Sequence, residues 1–227
     1  MDQNIKYTLY RTKRKSLLLK LKSDGTLALY CPKGYPKGKA IEFLKKNLPK
    51  MMRLAKAQEE KHLLSLFSDL KAPSLLYLGK RYPVLFGDVK TLRFDGQSFT
   101  APLGASLKDV HLLYKELLRA EAKRLIVPLV RTLAEQNGLT FNRIFIKDVS
   151  SRYGSCSSKG NLNFSLALPA FDEEFIKYIL LHELAHTVHF NHGSEFHSLL
   201  ERICPSHRVT EARFKKYYSP VFRAICS

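Results

Sequence analysis

Three histidines and one glutamate in the C-terminal half of the chain have the spacing of a catalytic metal site. The segment HELAH spans residues 182–186, and His192 follows after five intervening residues. On an α-helix, residues four apart lie on one face, so His182 and His186 can reach one ion together. Glu183 lies about 100° round the helix, where it can approach a bound water without coordinating the ion. A catalytic zinc ion uses this arrangement, because three protein ligands leave a fourth position for an activated water.

His192 can join the site only if the helix ends or turns before it. On a continuing helix it would point about 240° round from His186. Asn191 and Gly193 tolerate the left-handed conformation that ends helices, so the sequence predicts a chain reversal there. We rank His192 first as the third ligand, ahead of His189, Glu195 and His197. An all-imidazole site also accepts Mn, Fe, Co or Ni, so zinc is the expected ion among several.

The composition points to a folded and strongly basic protein. Lys and Arg number 38 against 20 Asp and Glu, which gives a net charge of +18. This excess supports non-specific nucleic-acid binding, with a solvated basic surface as the alternative. No apolar run approaches the ~20 residues that span a bilayer, and the first residues lack signal-peptide character. The four cysteines show no CxxC pairing, so we expect free thiols and a cytoplasmic location without membrane contact.

The order of predicted elements indicates an α+β protein of two domains. Residues 1–104 are predicted to form a β-rich N-terminal domain with one helical excursion, and residues 105–227 the zincin-like, metal-dependent hydrolase domain. Ser23-Asp24-Gly25 is a hairpin signal. The helical excursion covers residues 40–70, with a break at Pro49. Strands are predicted at residues 7–10, 16–21, 26–30, 75–78, 82–86, 91–94 and 98–101.

The C-terminal domain is predicted to be mainly helical. A long helix over residues 107–137 is kinked or divided at Pro128. Asp172 opens the helix that carries HELAH, which extends to about Asn191. A strand at residues 161–168 is a candidate for pairing with an extended peptide substrate, and an ordinary internal strand is the alternative. Another strand is predicted at residues 141–146, and further helices at 194–203 and 209–217.

Residues 144–205 also carry a family resemblance. The run SRYGSCSSKGNLN, residues 151–163, precedes HELAH and the Asn191-His192 pair. This joint pattern resembles the YgjP-like metallopeptidase family, a small-zincin group related to the SprT and WLM proteases. The β-rich N-terminal segment and Tyr77-Leu78-Gly79 look like that family too. The resemblance implies a zincin-like C-terminal domain, three histidines as zinc ligands (His182, His186 and His192) and Glu183 as the catalytic base.

The chain departs from the family pattern at two positions near the motif. Tyr153 stands where the family usually has Trp, and His197 stands where it usually has Trp after Phe196. Both changes replace one aromatic ring by another and bear on substrate preference more than on metal binding. For substrate contact the candidates are Arg152, Tyr153 and Asn163, and packing is the alternative. Asn163 and Asp148 are alternative hydrogen-bond acceptors for a ligand imidazole, and Cys156 is expected to be a structural thiol.

These residues predict a zinc-dependent hydrolase, most simply a metallopeptidase acting on peptides or proteins. Zinc-bound hydroxide also attacks phosphorus, so a nucleotide or phosphate ester is the second candidate substrate. A nucleic-acid-associated, SprT-like protease is the third interpretation, in which the basic surface docks nucleic acid. A purely structural zinc ion would leave Glu183 without a role.

Overall fold

The chain divides into two compact units, residues 1–62 and 63–227. The computed structural model describes residues 7–22 and 26–226. Both units combine sheet and helix, as expected for the α+β class. Residue 104, where the sequence predicts a domain boundary, lies inside the second unit. The reason is that Phe99, on the strand just before it, shares a core with Tyr114 and Leu118 on the helix that follows.

The first unit is a small sheet with one helix. Strand β3 lies between the other two and pairs parallel with β1 and antiparallel with β2. The predicted hairpin turn Ser23-Asp24-Gly25 lies outside the described residues. Leu29, Cys31, Ala40 and Leu44 are buried and form the core of this unit. The elements are β1 (Tyr7–Thr12), β2 (Leu18–Leu21), β3 (Leu27–Pro32) and α1 (Lys37–Phe67), whose last turn belongs to the second unit.

Both long helices continue through an internal proline. Helix α1 includes Pro49, and α2 (Leu107–Gln136) includes Pro128. The break predicted at Pro49 is therefore wrong, and Pro128 does not divide its helix. Both prolines are exposed, so the carbonyl four residues earlier, which loses its helical partner, can bond to water instead.

The second unit begins with a sheet that packs against α2. Its strand order is β4-β5-β7-β6, and the four predicted strands in this stretch are confirmed. Helix α2 starts at a capping box, in which the Ser106 hydroxyl accepts from the Asp109 N–H and the Asp109 carboxylate accepts from the Ser106 N–H. The strands are β4 (Ser74–Tyr77), β5 (Lys80–Gly87), β6 (Arg93–Phe94) and β7 (Phe99–Pro102).

A second sheet and the remaining helices complete this unit. Its order is β8-β10-β9, so β10 is paired on both sides and β9 lies at an edge. The segment 161–168 is therefore an internal strand and not a free edge. Helix α6 was not predicted. Within the described residues, no helix combines the length and apolar character needed to cross a bilayer. The elements are β8 (Ile144–Lys147), β9 (Gly154–Cys156), β10 (Leu162–Ser165), α3 (Glu173–Ala185), α4 (Ser194–Ile203), α5 (His207–Tyr217) and α6 (Ser219–Cys226).

Candidate metal centre and active site

Helix α3 carries the HELAH segment and is fixed at its start. The Asp172 carboxylate accepts from the Phe175 N–H at 2.9 Å, as the N-cap predicted from the sequence. The turn between β4 and β5 also reaches this point, because the Gly79 N–H donates to the Ala170 carbonyl at 3.1 Å. A Cβ on Gly79 would lie 2.7 Å from the Asp172 Cβ. The start of α3 is thus held by its own cap and by the β4–β5 turn.

Helix α3 ends earlier than predicted. It ends at Ala185, with His186 as its C-cap, and does not extend to Asn191. The last carbonyls are taken up by tighter turns, since Thr187 N–H donates to Leu184 and Val188 N–H to Ala185. The chain then reverses without a left-handed glycine. Gly193 is extended, with φ −79° and ψ −176°, and serves as the N-cap of α4.

This reversal brings three imidazoles together. One nitrogen from each of His182, His186 and His192 lies within 4.8 Å of the other two. The Nε2 atoms of His182 and His192 are 3.2 Å apart. Two nitrogens bound to one tetrahedral zinc at 2.0–2.1 Å would be about 3.3 Å apart. The donor set and its spacing therefore fit a divalent transition metal.

The competing donors do not join this cluster within the described part of the chain. The Glu195 side chain is 84% exposed and lies 3.5 Å from His189 Nδ1. The His197 ring is centred 6.5 Å from that of His192. Cys156 lies at the edge strand, where burial, and then the charge of Glu183, raise the pKa of its thiol. Of the candidate third ligands, His192 is the one that the structure brings together with His182 and His186.

Two neighbours that the sequence did not identify hold the imidazoles in place. The buried Phe196 ring contacts all three, at centroid distances of 5.1 Å to His182, 4.5 Å to His186 and 4.7 Å to His192. The backbone carbonyl of His189 lies 3.0 Å from His186 Nδ1. This bond places the proton on Nδ1 and leaves Nε2 free to ligate. The apolar spacing along α4 predicts a buried Phe196, but not which rings it meets.

The side chains predicted to accept from a ligand imidazole have other partners. Asp148 is paired with Lys115 at 2.7 Å. The Asn163 amide donates to the Ser155 carbonyl and hydroxyl oxygens, both at 3.3 Å. The acceptor for the His186 imidazole is instead the backbone carbonyl of His189, a group that any residue could supply.

The electrostatics of the cluster favour neutral ligands. Burial, and then the neighbouring His186 and His192, lower the pKa of His182 to about 4. Burial also lowers the pKa of His186. Both imidazoles are therefore neutral at pH 7, which is the form that binds a metal.

Glu183 lies beside the cluster but outside its donor set. Only 6% of the residue is exposed. Burial raises the pKa of Glu183 to about 7, against the opposing influence of the Arg152 charge. A carboxylate with a pKa near neutrality can both accept and release a proton at physiological pH. This is the property that a general base requires.

The remaining sequence candidates lie in different surroundings. Arg152 is exposed and close enough to Glu183 to influence its pKa. The Tyr153 ring packs against Phe222, at a centroid distance of 3.9 Å, and against Phe175 at 5.3 Å. Burial raises the pKa of Tyr153 to about 12. Tyr153 is thus mainly a packing residue, whereas the side chain of Arg152 is exposed to solvent.

A cavity of about 480 Å³ opens beside the imidazoles of His182 and His192. Apolar side chains of α3 and α4 form part of its wall, including Tyr178 and Leu200. Arg208 of α5 contributes a cation to the same cavity. The imidazoles of His182 and His192 therefore adjoin a space that can hold part of a substrate.

The comparison with family models agrees with this chemistry. The model of the YgjP-like metallopeptidase domain matches residues 15–217. Among solved structures, the metallopeptidase zymogen abylysin of Pyrococcus abyssi is 25% identical, over 40% of this chain and 94% of its own, with a TM-score of 0.38. The zymogen jannalysin of Methanocaldococcus jannaschii is 23% identical, over 38% of this chain and 92% of its own, with a TM-score of 0.32. No curated protein matches. Because the family model covers most of its length, the chain belongs to the YgjP-like metallopeptidase family and is a metal-dependent hydrolase.

Proposed function

We propose that this metallopeptidase uses zinc, held by His182, His186 and His192, with Glu183 as the general base. The observation that carries the proposal is the convergence of three imidazoles along and beyond the end of α3, together with the buried carboxylate of Glu183 on the same helix as His182. When bound, the ion lowers the pKa of a coordinated water to about 7 and polarises the scissile carbonyl. Imidazole ligands suit zinc better than calcium or magnesium, which prefer oxygen.

The side chains around the centre have distinct tasks in this proposal. Glu183 accepts a proton from the attacking water and delivers it to the leaving amine, which its pKa near neutrality permits. His189 keeps His186 in the tautomer that ligates through Nε2. Arg152 is the candidate donor to the oxyanion, because it is the exposed cation whose charge reaches Glu183.

A peptide substrate is favoured over a nucleotide by the free edge of β9. Hydrogen bonds alternate along an antiparallel pair. Tyr153 and Ser157 bond towards β10, at 2.8 Å and 2.9 Å. The N–H and C=O groups of Gly154 and Cys156 therefore point to the other edge, which pairs with no described strand. An extended peptide can add to such an edge by backbone hydrogen bonds, beside Glu183.

The decisive experiment compares the zinc-loaded wild type with Glu183→Gln on a peptide library and a nucleotide panel. Loss of a general base lowers kcat by about 10²–10⁴-fold, and metal content, measured by mass spectrometry, stays unchanged. Hydrolysis of peptides by the wild type supports the peptidase. Unimpaired turnover by Glu183→Gln removes this residue from the mechanism, and hydrolysis confined to nucleotides favours the second substrate class.

Nucleic acid is proposed as a second partner because the positive charge is concentrated in the first unit. Residues 1–62 contain 16 Lys and Arg against 5 Asp and Glu. Lys13, Arg14 and Lys15 are exposed in the connection between β1 and β2. Binding to phosphates releases counterions, so affinity for DNA should fall steeply with salt. Absent or salt-independent binding would count against a nucleic-acid-associated protease.

We also propose that the protein acts in the cytoplasm. All four cysteines are free, and three of them are buried. Burial raises the pKa of the Cys204 and Cys226 thiols, which keeps both protonated and unreactive. Free thiols are compatible with a reducing compartment. Fractionation of the source cells tests the location directly.

A further inference from the structure

Gly154, the first residue of β9, lies against the side chain of Glu183 with no room for a side chain of its own. A Cβ built on Gly154 would lie 2.6 Å from Glu183 Cγ, 2.8 Å from Oε1 and 3.0 Å from Cδ. These separations are shorter than ordinary van der Waals contact, which begins near 3.4 Å. The backbone of Gly154 is not left-handed. Space, and not backbone conformation, is what requires glycine here.

Neither partner of this contact can easily retreat. Strand β9 is fixed at its side by β10, because Ser165 N–H donates to the Tyr153 carbonyl at 2.8 Å. On the other side, the backbone of Glu183 belongs to α3, whose following residues Leu184 and Ala185 have no exposed surface. Glu183 itself is buried, so its carboxylate has few other positions. An added methyl group at residue 154 must therefore displace the Glu183 side chain before it displaces the backbone.

We propose that Gly154 is a positioning residue for Glu183, and that its missing side chain fixes the carboxylate directly beneath the substrate-pairing edge of β9. The inference rests on the proposed role of Glu183 as general base. Close contact between strand and carboxylate places the base next to a peptide that pairs with Gly154 and Cys156. It deepens the proposed function by tying substrate pairing and proton transfer to one glycine.

The first test is the kinetics of Gly154→Ala in the zinc-loaded full chain. A misplacement of about 1 Å costs on the order of 100-fold in rate, so kcat should fall by about that factor. KM and zinc content should change little, since substrate pairing uses backbone groups and the imidazoles are untouched. The matched control is Gly87→Ala in β5, where the new Cβ would meet only the Thr100 methyl, at 3.1 Å. This control should keep the wild-type kcat.

The second test is a double-mutant cycle on thermal stability. Glu183→Ala deletes the three atoms that a new Cβ at residue 154 would meet, namely Cγ, Cδ and Oε1. If the contact is as described, Gly154→Ala lowers Tm in the wild-type background and lowers it much less in the Glu183→Ala background. The cycle needs no catalytic activity, so it remains informative if Gly154→Ala is too unstable for kinetics.

The two tests separate failure of the inference from failure of the proposed function. A wild-type kcat in Gly154→Ala, or equal Tm losses in the two backgrounds, overturns the positioning role of Gly154. A normal kcat in Glu183→Gln, together with strong coupling in the cycle, overturns the general base and leaves only the contact. A fall in kcat for Gly154→Ala with wild-type zinc content, together with strong coupling, supports the inference.

Discussion

The two units differ in what their sequences provide for function. The first, with 62 residues, carries a net charge of +11, and the cations that the structure describes there lie largely on the surface. The second, with 165 residues, carries +7 and contains the convergent imidazoles and the buried Glu183. Surface charge attracts a partner without a fixed geometry, whereas proton transfer requires groups held to within fractions of an ångström. In the proposed function, the first unit therefore recruits a partner and the second carries out the reaction.

The largest expected effect is the loss of the metal from His186→Ala. This change removes one of three donors, so metal content and peptidase activity should fall together to background. Metal analysis and a peptide assay on the same preparation check the result. The matched control, His189→Ala, keeps the backbone carbonyl that bonds His186 and should keep the metal. Full activity of His186→Ala would show that the reaction takes place at another site.

Phe196→Ala should weaken both folding and metal binding in the second unit. Truncation of a buried phenylalanine costs about 3–5 kcal/mol of unfolding free energy. Loss of the phenyl ring that packs against the three imidazoles should lower metal affinity by about 10–100-fold. Denaturant unfolding and metal titration measure the two effects. The control is Phe99→Ala, in the core of the same unit, which should lower the unfolding free energy by a similar amount and leave metal affinity unchanged. If both variants lost the same metal affinity, Phe196 would have no specific role in supporting the imidazoles.

Neutralising the first unit should affect partner binding and leave chemistry intact. The triple variant Lys13→Gln, Arg14→Gln and Lys15→Gln should lower the salt dependence of DNA binding by up to ~3 units of slope. Fluorescence anisotropy over a range of salt concentrations gives this slope, and a peptide assay should give the wild-type kcat. The control is an equal neutralisation of exposed cations in the second unit, at Lys123, Arg131 and Lys159. Identical slopes for both triple variants would remove the distinction between the units.

The smallest expected effect concerns acid sensitivity of the second unit. Hydrogen bonds from Arg124, and then Tyr77, lower the pKa of Glu121 against the effect of burial. A lowered folded-state pKa stabilises the protein above the unfolded-state value, and this stability is lost as pH falls through the folded-state pKa. Glu121→Gln should cost about 1 kcal/mol at pH 7 and flatten this dependence. Denaturant unfolding curves measured between pH 7 and pH 3 test this prediction. If the unfolding free energy of Glu121→Gln changed with pH as steeply as that of the wild type, the acid sensitivity would arise from other groups.

The sequence predicts best what depends on local period and capping. The pairing of His182 with His186 follows from the helical repeat, and the start of α3 follows from the N-cap at Asp172. The strands near residues 75–101 follow from alternation and turn residues. All of these signals act over a few residues, so no knowledge of the folded chain is needed to identify them.

Features that depend on tertiary contacts could not be predicted from the sequence. The end of α3 at Ala185 depends on tight backbone bonds that many sequences permit. The segment near residue 162 became an internal strand because β8 and β9 both pair with it. Gly154 contacts Glu183 and Phe196 contacts His182, and both of these α3 residues lie some distance away along the chain. The exposure of Pro49 and Pro128, which allows both helices to continue through a proline, likewise depends on how the molecule packs.

The ring of Phe196 has a practical consequence for observing the metal centre. A phenyl group in contact with three imidazoles shifts their proton resonances through its ring current, and a bound metal alters the electronic surroundings of the phenyl group in turn. A single fluorine introduced on this ring would therefore act as an NMR reporter of metal entry, separate from any assay of hydrolysis. The contacts of Phe196 with all three imidazoles give that signal a direct structural meaning.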